Sequence, residues 1–142
     1  MARIIALFVY PEEGTPPSPV ERAGGGPGRG LDGDRHKRPK RRVLMVDRSV
    51  LQDHDLAPGA LREQLTVEGL PELDSLPPGT RIAAGAGILE VIDSCAPCLV
   101  IGEYNGVEDR EAFRQSLEGR RGMFVEFAEP AEIAVGDEVR VL

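Results

Sequence analysis

The chain has 142 residues, enough for one domain with a buried core and too few for two ordinary ones. Seventeen basic against 24 acidic residues leave a formal charge of −7, which argues against a surface that binds DNA or anionic membrane throughout. Seventeen glycines, 12 prolines, four Phe, two Tyr and no Trp point to a turn-rich, strand-heavy domain rather than a helical bundle.

Arg3 precedes an apolar run from Ile4 to Tyr10. The run is short, stops at Pro11-Glu12-Glu13 and has no small-x-small cleavage site, so it reads as a first buried strand rather than a signal peptide. No apolar stretch approaches the ~20 residues of a membrane span. Two cysteines build no disulfide scaffold, and a cytoplasmic, soluble protein is expected. From Pro11 to Gly33, 12 of 23 residues are Gly or Pro, a composition that predicts a loop without a packed helix or central strand, either functional or mobile. Arg35 to Arg42 then holds six of the 17 basic residues and no acid. Glycines that admit backbone N–H groups, followed by arginines that fork onto oxyanions, suit a local anion pocket. A nucleic-acid arm would normally add aromatics for stacking, and none is there, so nucleic acid is not the expected partner.

Val43 to Asp47 predicts a strand, Ser49 to Leu56 a short helix closed by Pro58-Gly59, and Leu61 to Val67 a strand ending at Gly69. Leu76 to Ile82 and Ile133 to Val139 resemble each other, each a Gly turn leading into an alternating strand, a common way of closing small barrels. Gly87 to Ile92 is a further strand, and Glu108 to Leu117 the best helix, with Phe113 and Leu117 one turn apart and Gly119 as its stop. Met123 to Phe127 and Glu138 to Val141 alternate with period two. Six or seven short strands with two or so short helices make a mainly β, barrel-like or sandwich fold, one domain over residues 1–142.

Cys95-Ala-Pro-Cys98 is open to several readings. A thioredoxin-like redox pair needs its first Cys at a helix start within a βαβ unit, whereas Leu99-Val-Ile101 has a β pattern. Zinc needs two more ligands, and His36 and His54, the only histidines, are not at ligand spacing, so no zinc is expected. A single thiolate acting as nucleophile, sulfur carrier or soft-metal ligand remains, beside the plainer reading of two small buried hydrophobes. The two lysines both lie inside the basic run, which argues against a pyridoxal-phosphate Schiff base.

Five segments in this order resemble the MOSC domain family, the domain found at the C-terminus of molybdenum-cofactor sulfurases. Gly30-Leu-Asp-Gly-Asp-Arg-His36 is similar to its Gly-Asp-x-His segment, and Arg62-Glu-Gln-Leu-Thr-Val-Glu-Gly69 to its Arg-Glu-Asn-apolar-Thr-x-x-Gly strand. Pro97-Cys98 matches its proline–cysteine pair, and Gly119-Arg-Arg-Gly-Met-Phe124 its Gly-Arg-x-Gly-x-aromatic segment; Gly136 to Val141 resembles its closing strand. The sequence departs from the pattern at Gln64, where Asn is usual, at Lys37-Arg38, which replace small residues, and at Cys95, which lies outside the pattern.

The resemblance implies a β-barrel that binds the molybdenum cofactor (molybdopterin, a pterin bearing a phosphate) or carries sulfur as a persulfide. It implies Cys98 as the sulfur carrier or the thiolate facing molybdenum, and Arg35, His36, Arg62, Thr66 and Arg120 as residues holding pterin or phosphate. No desulfurase domain accompanies it, so a sulfur donor such as a cysteine desulfurase, a molybdoenzyme or an electron-transfer partner is expected. The alternatives are a small molybdenum-dependent reductase of N-hydroxylated compounds working with partner proteins, and a non-catalytic barrel that docks RNA or protein through Arg35–Arg42.

Overall fold

The computed structural model describes residues 1–35 and 43–142. Among the described residues, eleven strands and three short helices run in the order β1 (Ala2–Val9), β2 (Ser18–Val20), β3 (Arg22–Gly26), β4 (Gly30–Leu31), β5 (Val43–Asp47), α1 (Arg48–Asp53), β6 (Leu65–Glu68), β7 (Arg81–Ala84), β8 (Gly87–Ser94), α2 (Leu99–Tyr104), α3 (Arg110–Ser116), β9 (Met123–Phe127), β10 (Ala131–Ala134) and β11 (Glu138–Val141), with a 3₁₀ turn at Leu73–Ser75. Seven strands follow one another as β11-β7-β8-β9-β5-β6-β1, and the pairing of Ala2 with Val139 joins the ends into a closed barrel. The fold is mainly β, as expected, with three short helices among the described residues.

Alternation fills the barrel. Ile4, Val43, Met45, Leu65, Val67, Leu89, Val91, Met123, Val125 and Phe127 form one buried interior cluster. Their neighbours on β5, Leu44 and Val46, point outward into a second cluster with Val50, Leu51, Leu61, Ile101 and Leu117. Both faces of β5 are therefore covered, which is why its five residues are all apolar or capping and all buried. β5 and β6 are parallel, so the chain must cross over between them, and α1 begins that crossover. Asp47 caps it: Oδ2 accepts from Ser49 N–H (3.1 Å) and Oδ1 from Leu70 N–H (2.9 Å).

The structure corrects three sequence expectations. The Gly/Pro-rich stretch is not strandless: β3 is the middle strand of a second sheet, between β10 and β4. Glycine is what that position needs, because a Cβ on Gly25 would overlap the Phe127 ring and lie 2.5 Å from its Cζ. Leu99-Val-Ile101 is not a strand but the first turn of α2, with Ile101 buried against the outer cluster and Leu99 and Val100 exposed. The strand predicted from Leu61 starts only at Leu65, because residues 58–61 form a turn and Arg62 after it occupies the left-handed region (φ +58°).

Candidate functional site

At one end of the barrel, the end of β1, the segment before residue 36, the turn before β6 and the end of α2 converge. Tyr10 N–H donates to Asp34 Oδ1 (2.7 Å), and Arg35 N–H donates to the Tyr10 carbonyl (3.0 Å). The Tyr10 hydroxyl donates to the Glu63 carbonyl (2.9 Å). Burial, reinforced by the Glu63 charge, pushes the Tyr10 phenol well above its ordinary value, so it stays a neutral donor.

The turn is held by the side chain of Glu63, which is fully buried. Its Oε2 accepts from Gly59 N–H (3.0 Å) and Thr66 Oγ1 (2.7 Å), and its Oε1 from Leu61 N–H (3.1 Å). That anchoring places Arg62. Its guanidinium lies 4.7 Å from the centre of the Tyr10 ring and 4.1 Å from that of Tyr104, and Nη2 donates to the Thr15 carbonyl (2.8 Å). Tyr10, Asp34, Arg35, Arg62, Gln64 and Tyr104 line a cavity of about 210 Å³. A second cavity of about 360 Å³, bounded by Pro17, Pro58, Ala60 and Asn105, adjoins it across Arg62 and Tyr104.

The thiols sit at the other end of α2. Cys98 caps the helix and is exposed, whereas Cys95 is half-buried and its N–H donates to the Gly122 carbonyl (2.9 Å). Both are free. Burial raises the Cys95 thiol and the nearby Arg121 charge opposes that rise. The second cysteine, not the first, meets the helix, and β8 and β9 flanking α2 and α3 are antiparallel, so the thioredoxin arrangement is absent.

The residues singled out from sequence are thus dispersed. Arg35 and Arg62 line the smaller cavity, with Arg35 Nη1 3.2 Å from Glu13 Oε2. Thr66 is fully buried beneath it, its hydroxyl bonded to Glu63, and does not line it. Arg120 lies outside the cavity, and its Nη2 meets Asp53 Oδ2 at 2.6 Å on the surface. Cys98 stands at the far end of α2 from Tyr104, roughly 9 Å away along the axis at 1.5 Å per residue. His36, and the run Lys37 to Arg42 after it, lie outside the described residues. The structure adds residues that sequence reasoning passed over: Tyr10 and Tyr104 around Arg62, Glu63 as the anchor, and Arg121, which is buried where Arg120 is only half-buried. The adjacent arginines were legible as a pair, but which of them faces inward was not. Among the described residues, no three His, Cys, Asp or Glu side chains group to hold a metal ion, and no helix is long and apolar enough to cross a membrane.

A family model of the MOSC domain matches residues 32–140. The chain belongs to the MOSC domain family. No curated protein matches this MOSC domain, but solved structures do. The YuaD protein of Bacillus subtilis superposes with a TM-score of 0.80 at 20% identity, covering 99% of this chain and 96% of that one. YiiM from Geobacillus stearothermophilus gives 0.77 at 18%, covering 100% and 75%, and YiiM from Escherichia coli 0.71 at 17%, covering 99% and 69%. At these identities the likeness is one of fold, and it agrees with the closed barrel of this MOSC domain.

Proposed function

We propose that this MOSC domain is a sulfur-carrier and molybdenum-cofactor-binding module, with Cys98 as the thiol that takes up sulfur or faces the metal. The observation that carries the reading is the exposed Cys98 at the head of α2, the helix whose other end, Tyr104, packs on Arg62 at a cavity that Arg35 and Arg62 line together with Glu12, Glu13 and Asp34. The donor set fits the group: a soft thiol suits sulfur and molybdenum, and guanidinium groups suit a phosphate. Arg35 and Arg62 would hold the pterin or its phosphate, with His36 next in sequence, while Thr66 would act through Glu63 and Arg120 from the rim. When bound, the cofactor supplies molybdenum–sulfur chemistry; this chain supplies the thiol, the cations and a neutral Tyr10.

Sulfur loading is a balanced exchange. The Cys98 thiolate attacks the outer sulfur of a donor persulfide, a new S–S bond forms on Cys98, and the donor leaves as its own thiolate. The donor is a partner protein such as a cysteine desulfurase, since nothing in this chain resembles a desulfurase site.

The test is native mass spectrometry of protein purified without reductant from cells that make molybdenum cofactor. The expected result is a pterin-sized adduct, or one added sulfur that disappears on reduction and in Cys98→Ala. Equal sulfur loading in Cys98→Ala refutes the carrier role.

A further inference from the structure

The larger cavity, of about 360 Å³, differs in chemistry from its neighbour. The smaller one has Glu12, Glu13, Asp34 and Arg35 in its wall. The larger is walled by Pro16, Pro17, Ala57, Pro58 and Ala60, and no carboxylate among the described residues lines it. Its size falls within that of small-molecule sites, roughly 300–1,000 Å³. Arg62 is the charged residue in this wall and is shared with the smaller cavity. Its guanidinium is already engaged, beside the Tyr10 and Tyr104 rings and bonded to the Thr15 carbonyl.

The backbone of this wall has its donors committed. Gly59 N–H goes to Glu63 Oε2 (3.0 Å), Ala60 N–H to the Ala57 carbonyl (3.1 Å) and Arg62 N–H to the Gly59 carbonyl (2.9 Å). Asn105 adds a side-chain amide whose Nδ2 donates to the carbonyls of Ala60 and Ile101, 2.9 Å each. Those two bonds fix the amide, and its Oδ1 accepts from no donor among the described residues. The same bonds make the cavity rigid. Asn105 ties the end of α2 to the turn at Ala60, and Arg62 ties that turn to Thr15, next to Pro16. Gly59 packs so closely that a Cβ there would lie 3.1 Å from Pro17 Cγ and from Phe8 Cζ. A cavity already formed binds without the cost of ordering its walls.

We infer that the larger cavity is a binding site for a small uncharged molecule, built on a flat ring and carrying a hydrogen-bond donor that Asn105 Oδ1 accepts. A flat ring suits the proline rings and the Tyr104 ring of the wall, which offer faces to pack against. A carboxylate or phosphate would lose its water against apolar side chains and find there a guanidinium already engaged. This site is separate from the thiol chemistry, since Cys98 stands at the other end of α2 from Tyr104. It exists whether or not Cys98 carries sulfur.

The test titrates indole, a neutral flat ring with a single N–H, into the isotope-labelled full chain and follows the amide NMR spectrum. The Asn105 side-chain amide and the backbone amides of Ala57, Gly59 and Ala60 are expected to move together and saturate at about millimolar indole or below. The amides of Leu99 and Val100, exposed apolar residues elsewhere on the surface, are expected to stay still. N-methylindole keeps the ring without the donor and is expected to bind about tenfold more weakly. Indoleacetate is expected to bind no more tightly than indole. Ala57→Phe, which sets a ring of the chain's own into the cavity wall, is expected to abolish the shifts; if that variant does not fold, the wild-type spectra with the three probes decide. Absence of a saturable shift at Asn105, shifts centred on Leu99 and Val100, equal binding of N-methylindole, tighter binding of indoleacetate, or an undiminished response in Ala57→Phe each overturn the inference. Sulfur loading at Cys98 is read by mass and not by these shifts, so this proposal and the carrier reading fail separately.

Discussion

Glu63→Gln changes one atom and tests whether the buried carboxylate holds the turn that presents Arg62. The native side chain serves three donors with two oxygens, at 2.7, 3.0 and 3.1 Å, in a site with no solvent exposure. Glutamine keeps one acceptor oxygen, so its amide must face either Leu61 N–H or the Gly59 N–H and Thr66 pair. Facing Leu61, it opposes a donor with a donor and leaves a buried N–H unsatisfied, about 1–3 kcal/mol. Facing Gly59 it does the same there, and Thr66 can respond only by turning its hydroxyl round as an acceptor. The surviving bonds also lose their charge assistance. About 3 kcal/mol in all is the expected loss, or about 10 °C in melting temperature for a chain of this size. Thermal unfolding by circular dichroism, with urea titration as a second measure, reads it directly. Glu63→Ala should cost more, since all three donors lose their acceptor and a cavity is added. A loss below about 0.5 kcal/mol for Glu63→Gln, or Glu63→Ala milder than Glu63→Gln, would refute the anchoring role.

Gly25→Ala should destabilise by about 1–3 kcal/mol through overlap with Phe127, and Phe127→Leu in the same chain should recover part of the loss, a coupling that a double-mutant cycle in urea measures. On α3, the Arg114 guanidinium bonded to the Glu111 carboxylate holds that carboxyl down to about 2. Its folded value is depressed, so its contribution to stability is present above the unfolded value near 4.5 and is lost as pH falls toward 2. A carboxylate titration by NMR should show Arg114→Ala returning Glu111 toward the ordinary range, and added salt should shrink the difference because the pair is exposed.

What could be read from sequence depended on how far each residue's fate was decided by its neighbours in the chain. β9 was legible to the residue, Met123 to Phe127, because one face meets the barrel interior and the alternation reports it. β5 was legible for the opposite reason, a continuous apolar run covered on both faces. Leu99-Val-Ile101 misled because three residues cannot distinguish a period of 2 from one of 3.6; α2 forms because Ile101 finds the outer cluster, a tertiary fact. The triple glycine of β3 looked like a loop until the Phe127 ring, about a hundred residues later in sequence, was seen to occupy the space of a side chain. The site shows the same division. Arg62 and Cys98 belong to local motifs and could be named, whereas Tyr10 and Tyr104 meet only across the folded barrel. Arg120 and Arg121 are adjacent, and the inward one is chosen by the Gly122 backbone against β5, which no local pattern encodes.

Arg62 and Arg121 illustrate two ways of keeping a cation in this barrel. Arg62 bears a left-handed backbone, about 1–2 kcal/mol of strain for a residue with a Cβ. Two aromatic faces, worth roughly 0.5–1 kcal/mol each where exposed and more where desolvated, are of the size needed to offset it. The Thr15 bond then fixes the orientation. Arg62 is consequently satisfied within the chain, and its charge is preset but partly spent on its own tyrosines. Arg121 is buried instead, and its Nε and Nη1 have no hydrogen-bond partner among the described residues. Arg62 therefore shapes the cavity, with α2 linking that end of the barrel to the Cys98 thiol.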